Sequence, residues 1–112
     1  MDSTHKTCKS IVKPTSDSYL FSIVAKNDVT GQGYPLAYMI TDKEDSEHLQ
    51  IWLRWLRDCV HYIPDRIMID CSPVEINSIR QVYGNHVQVL LCHWHIKRAW
   101  IKNIKSKVIA LY

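Results

Sequence analysis

The chain has 112 residues, which leaves room for one domain, read here as spanning 1–112. Its 46% apolar content excludes wholesale disorder, and no run approaches the ~20 consecutive apolar residues of a membrane span. The net charge of +3 is uneven: Met1–Glu75 holds eight Lys/Arg and eleven Asp/Glu, a balance of −3, whereas Ile76–Tyr112 holds six Lys/Arg and no acid, a balance of +6.

Tyr19–Ala25 is rich in β-branched and aromatic residues and reads as a strand. Asp28–Gly33 carries two glycines, a turn that doubles the chain back, and Tyr34–Ile40 reads as the antiparallel return strand of a hairpin. A helix follows, with Ser46 as N-cap and Glu47 in the first turn. Leu49, Trp52, Leu53, Leu56, Val60 and Ile63 fall on one face of it, and Pro64 is expected to stop it. Arg66–Asp70 is short and almost wholly apolar, as expected of a strand buried on both faces. Ser72, Pro73 and Glu75 supply a cap, a proline at the first helical position and a capping-box acid. Ile76, Ile79, Val82 and Tyr83 form that helix's buried stripe, and Gly84 can end it. Val87–Cys92 is another apolar strand. A last basic helix begins near His95, expected to bury Ile96, Trp100, Ile104 and Val108 and to show Lys97, Arg98, Lys102 and Lys105. A hairpin followed by β-α-β-α units implies a mixed α/β sheet with helices packed on it.

Asp70 ends an apolar strand just before a helix start, at the carboxyl edge where ligands of open α/β sheets bind. A cap or loop acid is the plainer reading, weakened because Ser72 already offers the cap. Asp2, taken alone, is an acid near a terminus. Two carboxylates on adjacent strand ends stay ionised together most easily when a cation joins them. Oxygen ligands suit Mg²⁺ or Mn²⁺, and two such ions about 3.5–4 Å apart can activate a water or 3′-hydroxyl in phosphodiester displacement.

Taken in order, several stretches resemble the Mutator-like element (MULE) transposases. They are Asp2-Ser3-Thr4-His5-Lys6-Thr7, Tyr19-Leu20-Phe21-Ser22-Ile23-Val24 and Gly33-Tyr34-Pro35-Leu36-Ala37-Tyr38, then Ile69-Asp70 and Leu91-Cys92-His93-Trp94-His95-Ile96-Lys97. The resemblance implies an RNase H-like fold, a three-acid D-D-E site holding Mg²⁺ or Mn²⁺, and DNA strand cleavage and joining at transposon ends. It further implies a nuclear protein that can form homo-oligomers. Asp2 matches the family's first aspartate and Asp70 its second. The third acid of the family lies downstream of the Cys/His signature, where this chain has no Asp or Glu. Only Met1 precedes Asp2, so the first strand is expected to be truncated and the chain to be a fragment, inactive alone. Glu75 is the nearest remaining acid, and its capping-box position accounts for it.

Cys92 and His95 form a C-x-x-H pair at a strand-to-helix junction, a spacing that zinc sites use. A closed zinc site needs four ligands, and Cys59 with His61 or Cys8 with His5 would join only through the fold; a buried cysteine beside polar histidines is the simpler reading. By resemblance the pair is a family signature. Cys8, Cys59, Cys71 and Cys92 show no framework spacing, which favours reduced thiols and an intracellular protein. The start, Met1 to Lys6, lacks the apolar core of a secretion signal. Tryptophans can stack on bases; Trp52 and Trp100 are expected in the core instead, and Trp55 and Trp94 are left undecided between the two. Lys97, Arg98, Lys102 and Lys105 are the candidate phosphate contacts, set against a merely solvated helix face. An alternative function follows from the missing acid and the basic end: a domesticated, non-catalytic nucleic-acid-binding or regulatory module.

Overall fold

The computed structural model describes residues 1–9 and 17–109, with side chains for Met1 and 17–108. The elements run β1 (Asp2–Lys9), β2 (Asp17–Lys26), β3 (Gly33–Thr41), α1 (Ser46–Cys59), β4 (Arg66–Ile69), α2 (Pro73–Tyr83), β5 (Gln88–Leu91) and α3 (His93–Ile109). The class is mixed α/β. An antiparallel sheet has the order β1-β2-β3, and a second sheet pairs β4 with β5 in parallel.

The β2–β3 hairpin turns where expected. Asn27 Oδ1 accepts from the Val29 and Thr30 amides at 2.9 and 3.1 Å, and Gly31 takes φ +69°, a conformation easy only for glycine. Helix α1 then packs Leu49, Trp52, Leu53 and Leu56 against Phe21 and Ile23 of β2, Ile67 and Ile69 of β4, and Ile79, Val82 and Tyr83 of α2. All are buried, and together with Val87 they are the core. The two helices are also tied by polar contacts. Ser46 Oγ and Ser78 Oγ lie 2.9 Å apart, and Arg57 donates to Val82 O at 2.6 Å. Tyr83 Oη donates to Tyr62 O at 3.1 Å; burial there pushes its phenol up to about 12.

Four expectations are corrected. Asp45, not Ser46, caps α1, accepting from the His48 amide at 2.9 Å; Ser46 is thereby free to meet Ser78. Helix α1 ends at Cys59 rather than at Pro64. His61 turns to φ +56°, and the Tyr62 amide donates to Leu56 O at 2.9 Å, so the backbone has already reversed and leaves Val60 and Ile63 exposed. Strand β4 is buried on one face only: Ile67 and Ile69 point into the core while Met68 is 53% exposed, because α1 and α2 cover just that side. The third helix starts at His93, and its stripe is open: Ile96 is half-buried, and Trp100, Ile104 and Val108 are exposed. Beyond its first turn, every residue of it with a described side chain is exposed. The second helix matches its expected start and stop, with Ser72 as cap, Pro73 in the first turn and Gly84 at φ +65°. No helix among the described residues is long and apolar enough to cross a membrane.

Candidate metal centre at the carboxyl edge of the sheet

Strands β4 and β5 run out side by side. Ile69 pairs with Leu91, and the Cys92 amide donates to Ile69 O at 2.7 Å. One step further on, Asp70 and Cys92 stand opposite each other. Ile67 and Ile69 face the helices, so alternation turns Met68 toward the open face. A groove of about 590 Å³ on that face is lined by Met68, Leu90, Leu91, Cys92, His93 and Trp94, with Ile96 at its side. Asp70 and Cys92 therefore follow the ends of two paired strands, a neighbourhood that sequence spacing alone did not reveal.

Asp70 is half-buried, and its Oδ1 is buried with no hydrogen-bond partner among the described residues. An unpaired carboxylate oxygen out of water is costly unless something compensates it. The next residue, Cys71, takes φ +74°, a left-handed conformation that costs an L-residue roughly 1–2 kcal/mol. Strain of this kind gathers where a backbone is held for function. Ser72 Oγ accepts from the Glu75 amide at 3.4 Å, so Asp70 does not cap α2.

Asp2 is located by its backbone. Asp2 pairs with Ser22 of β2, and the Met1 amino group donates to Met68 O at 2.8 Å. The start of β1 thus lies between the hairpin and β4, against the residues just before Asp70. The side chains of Asp2, His5 and Cys8 lie outside the described residues. Glu75 is a residue that the capping-box reading undervalued: its side chain is 1% exposed, whereas a cap needs no buried carboxyl. Its position at the start of α2, just past Asp70, was the only signal.

Cys92 is the cap residue of α3, its carbonyl accepting from the Ile96 amide at 3.1 Å. The His95 backbone N–H, and then the His95 side chain, hold the Cys92 thiol below its ordinary range, as expected at a helix N-terminus. His95 Nδ1 is buried without a hydrogen-bond partner among the described residues, and its ring meets Trp94 edge-on at 4.8 Å. No group of three or more metal-donor side chains occurs among the described residues, so Cys92 and His95 are two donors and no more there. Lys97, Arg98, Lys102 and Lys105 are all exposed, and Arg98 lies over the Trp94 ring at 5.1 Å. Trp52 is buried and Trp55 and Trp94 are exposed, but Trp100, expected in the core, is 68% exposed.

A comparison with protein families matches residues 1–99 to the MULE transposase domain. The chain belongs to that family. No curated protein and no solved structure matches it. The matched span of this MULE domain starts at the first residues, takes in Asp70 and the Cys92–His95 pair, and ends within α3.

Proposed function

We propose that this MULE domain is the N-terminal part of a DDE-type DNA transposase catalytic core, with Asp2 and Asp70 as two of its three metal-binding acids. The hydrogen bond from Met1 N to Met68 O carries the reading. Continued as a parallel ladder, that bond sets Met1 opposite Ile69 and Asp2 opposite Asp70, on neighbouring strands about 4.8 Å apart. β1 then joins the two sheets into one, in the order β3-β2-β1-β4-β5, an RNase H-like mixed sheet with the acids at its middle.

The donor chemistry fits a hard cation. Asp70 offers a buried oxygen with no competing donor among the described residues, and carboxylates are the ligands that Mg²⁺ and Mn²⁺ prefer. When bound, such ions lower the proton affinity of an attacking water or 3′-hydroxyl and stabilise the leaving oxygen. The chain's own residues do the rest. Asp2 and Asp70 hold the metal, and the Cys71 bend fixes the direction of Asp70. The groove beside Met68 and Trp94 leaves room for a strand of DNA. Lys97, Arg98, Lys102 and Lys105 neutralise its phosphates, and the exposed Trp94 and Trp100 offer stacking faces. Cys92 and His95 are the family's C-x-x-H pair, fixing the start of α3 beside the acids. No acid follows Glu75, so strand cleavage is assigned to the complete transposase.

Mn²⁺ binding to this chain, followed by electron paramagnetic resonance, tests the reading. Asp70→Asn should weaken binding by about tenfold or more, about 1.4 kcal/mol, with the circular dichroism spectrum unchanged. Equal affinity in the wild-type and Asp70→Asn proteins would refute it.

A further inference from the structure

The antiparallel sheet ends on β3, whose outer edge no described strand covers. An uncovered edge displays a row of backbone donors and acceptors that another strand can use, and proteins normally blunt it with charge, proline or a bulge. On β3 those devices sit at one end. Pro35 lies near its start, and the β2–β3 register slips between Ile23 and Val24, opposite Ala37 and Pro35. Leu36 is the residue left unpaired there, Ala37–Thr41 has neither device, and no residue of Gly33–Thr41 is charged.

That half of the strand is apolar on both sides. Tyr38 is 59% and Ile40 72% exposed. On the helix side, an open groove of about 390 Å³ is lined by Met39, Ile40, Ile51 and Trp55, among others. Ile51 and Trp55 of α1 are themselves more than half exposed.

We infer that β3 pairs with β3 of a second copy of this chain. An antiparallel pair of identical strands has the two-fold symmetry of a closed dimer. A register centred on Met39 matches Ala37–Thr41 with its own copy and leaves Pro35 outside. The pairing extends the sheet across the seam and brings Ile51 and Trp55 of each copy toward the other.

Charge selects a second copy here and opposes one elsewhere. The β3 strand meets its copy without like-charge repulsion, whereas α3, also apolar along one stripe, carries five Lys/Arg and no acid and repels itself. The exposed side chains along the seam offer on the order of 500 Å² per copy, below the roughly 800 Å² per partner of a standard interface; the paired backbone adds to it. A dimer of micromolar rather than nanomolar strength is expected.

Sedimentation velocity on the whole chain between 5 and 200 μM tests this. The mass should rise from 13.1 kDa toward twice that value. Ile40→Lys combined with Trp55→Lys should hold the chain monomeric, and Ile104→Lys on α3 should leave the dimer intact. Hydrogen exchange gives a reading independent of any variant: amides within Ala37–Thr41 should gain protection as concentration rises. A monomer throughout, a dimer lost only in Ile104→Lys, or β3 exchange that ignores concentration would each overturn the proposal.

Discussion

Helices α1 and α3 stand at opposite extremes of one molecule. Over 14 residues α1 buries Leu49, Trp52, Leu53 and Leu56; over 17 residues α3 leaves Trp100, Ile101, Ile104 and Val108 exposed. Both carry apolar residues at helical spacing, so spacing does not separate them. What separates them is the surface opposite. α1 meets the inner faces of β2 and β4 and the side of α2, all apolar, whereas α3 leaves the end of β5 and projects from the body. The radius of gyration is 16.5 Å, above the roughly 13 Å of a compact chain of this length. An apolar stripe states that a helix can be buried; topology decides whether a partner is there.

The largest effect expected from this contrast is on stability. Leu53→Ala should lose about 2–5 kcal/mol in urea unfolding, because a cavity opens in a filled core. Ile104→Ala should stay within about 0.5 kcal/mol of wild type. Similar losses at both positions would mean that α3 is packed in solution and would break the comparison.

The same contrast explains what could be read from residues alone. The hairpin, the α2 boundaries and β4 were legible because each rests on local chemistry: two turn glycines, the Ser72-Pro73 start, the Gly84 stop, a run of branched apolar residues. The end of α1 was not, since Pro64 is a strong stop signal but the reversal at His61 comes first. The burial of α3 and the outer face of β4 were misjudged for one shared reason: hydropathy reports a preference for burial and carries no information on whether a covering element exists. At the site, Asp70 was legible as a strand-end acid. Its meeting with Cys92 was not, because it depends on the β4–β5 register.

Between the two helices, the junction at Cys71 tests whether the acid-bearing edge stores strain that the packed body tolerates. Cys71→Gly, which accepts φ +74° without penalty, should stabilise the protein by about 1 kcal/mol. Cys71→Val should destabilise it, because branching worsens the same conformation. Thermal unfolding of both variants checks the order; a loss with glycine would show that the bend is unstrained.

The smallest effect is a chemical one at the start of α3. The Cys92 thiol is held low first by the His95 backbone N–H, so alkylation of Cys92 should titrate below the ordinary range of a free thiol. His95→Pro removes that donor within the first turn, where proline is tolerated, and should return the midpoint toward the ordinary value. His95→Ala keeps the backbone donor and should retain part of the shift. An ordinary midpoint in the wild-type protein would mean that α3, lacking tertiary support, frays at its first turn.

The account rests on Asp2 and Asp70 sharing one cation, and metal-directed backbone cleavage asks that question of the chain itself. With Fe²⁺ in place of Mg²⁺ and peroxide added, cuts should cluster at two places far apart in sequence, beside residues 1–3 and beside 69–71. Both clusters should fade together in Asp70→Asn. Cuts at only one of the two, or confined to the acidic stretch of residues 42–45, would contradict it.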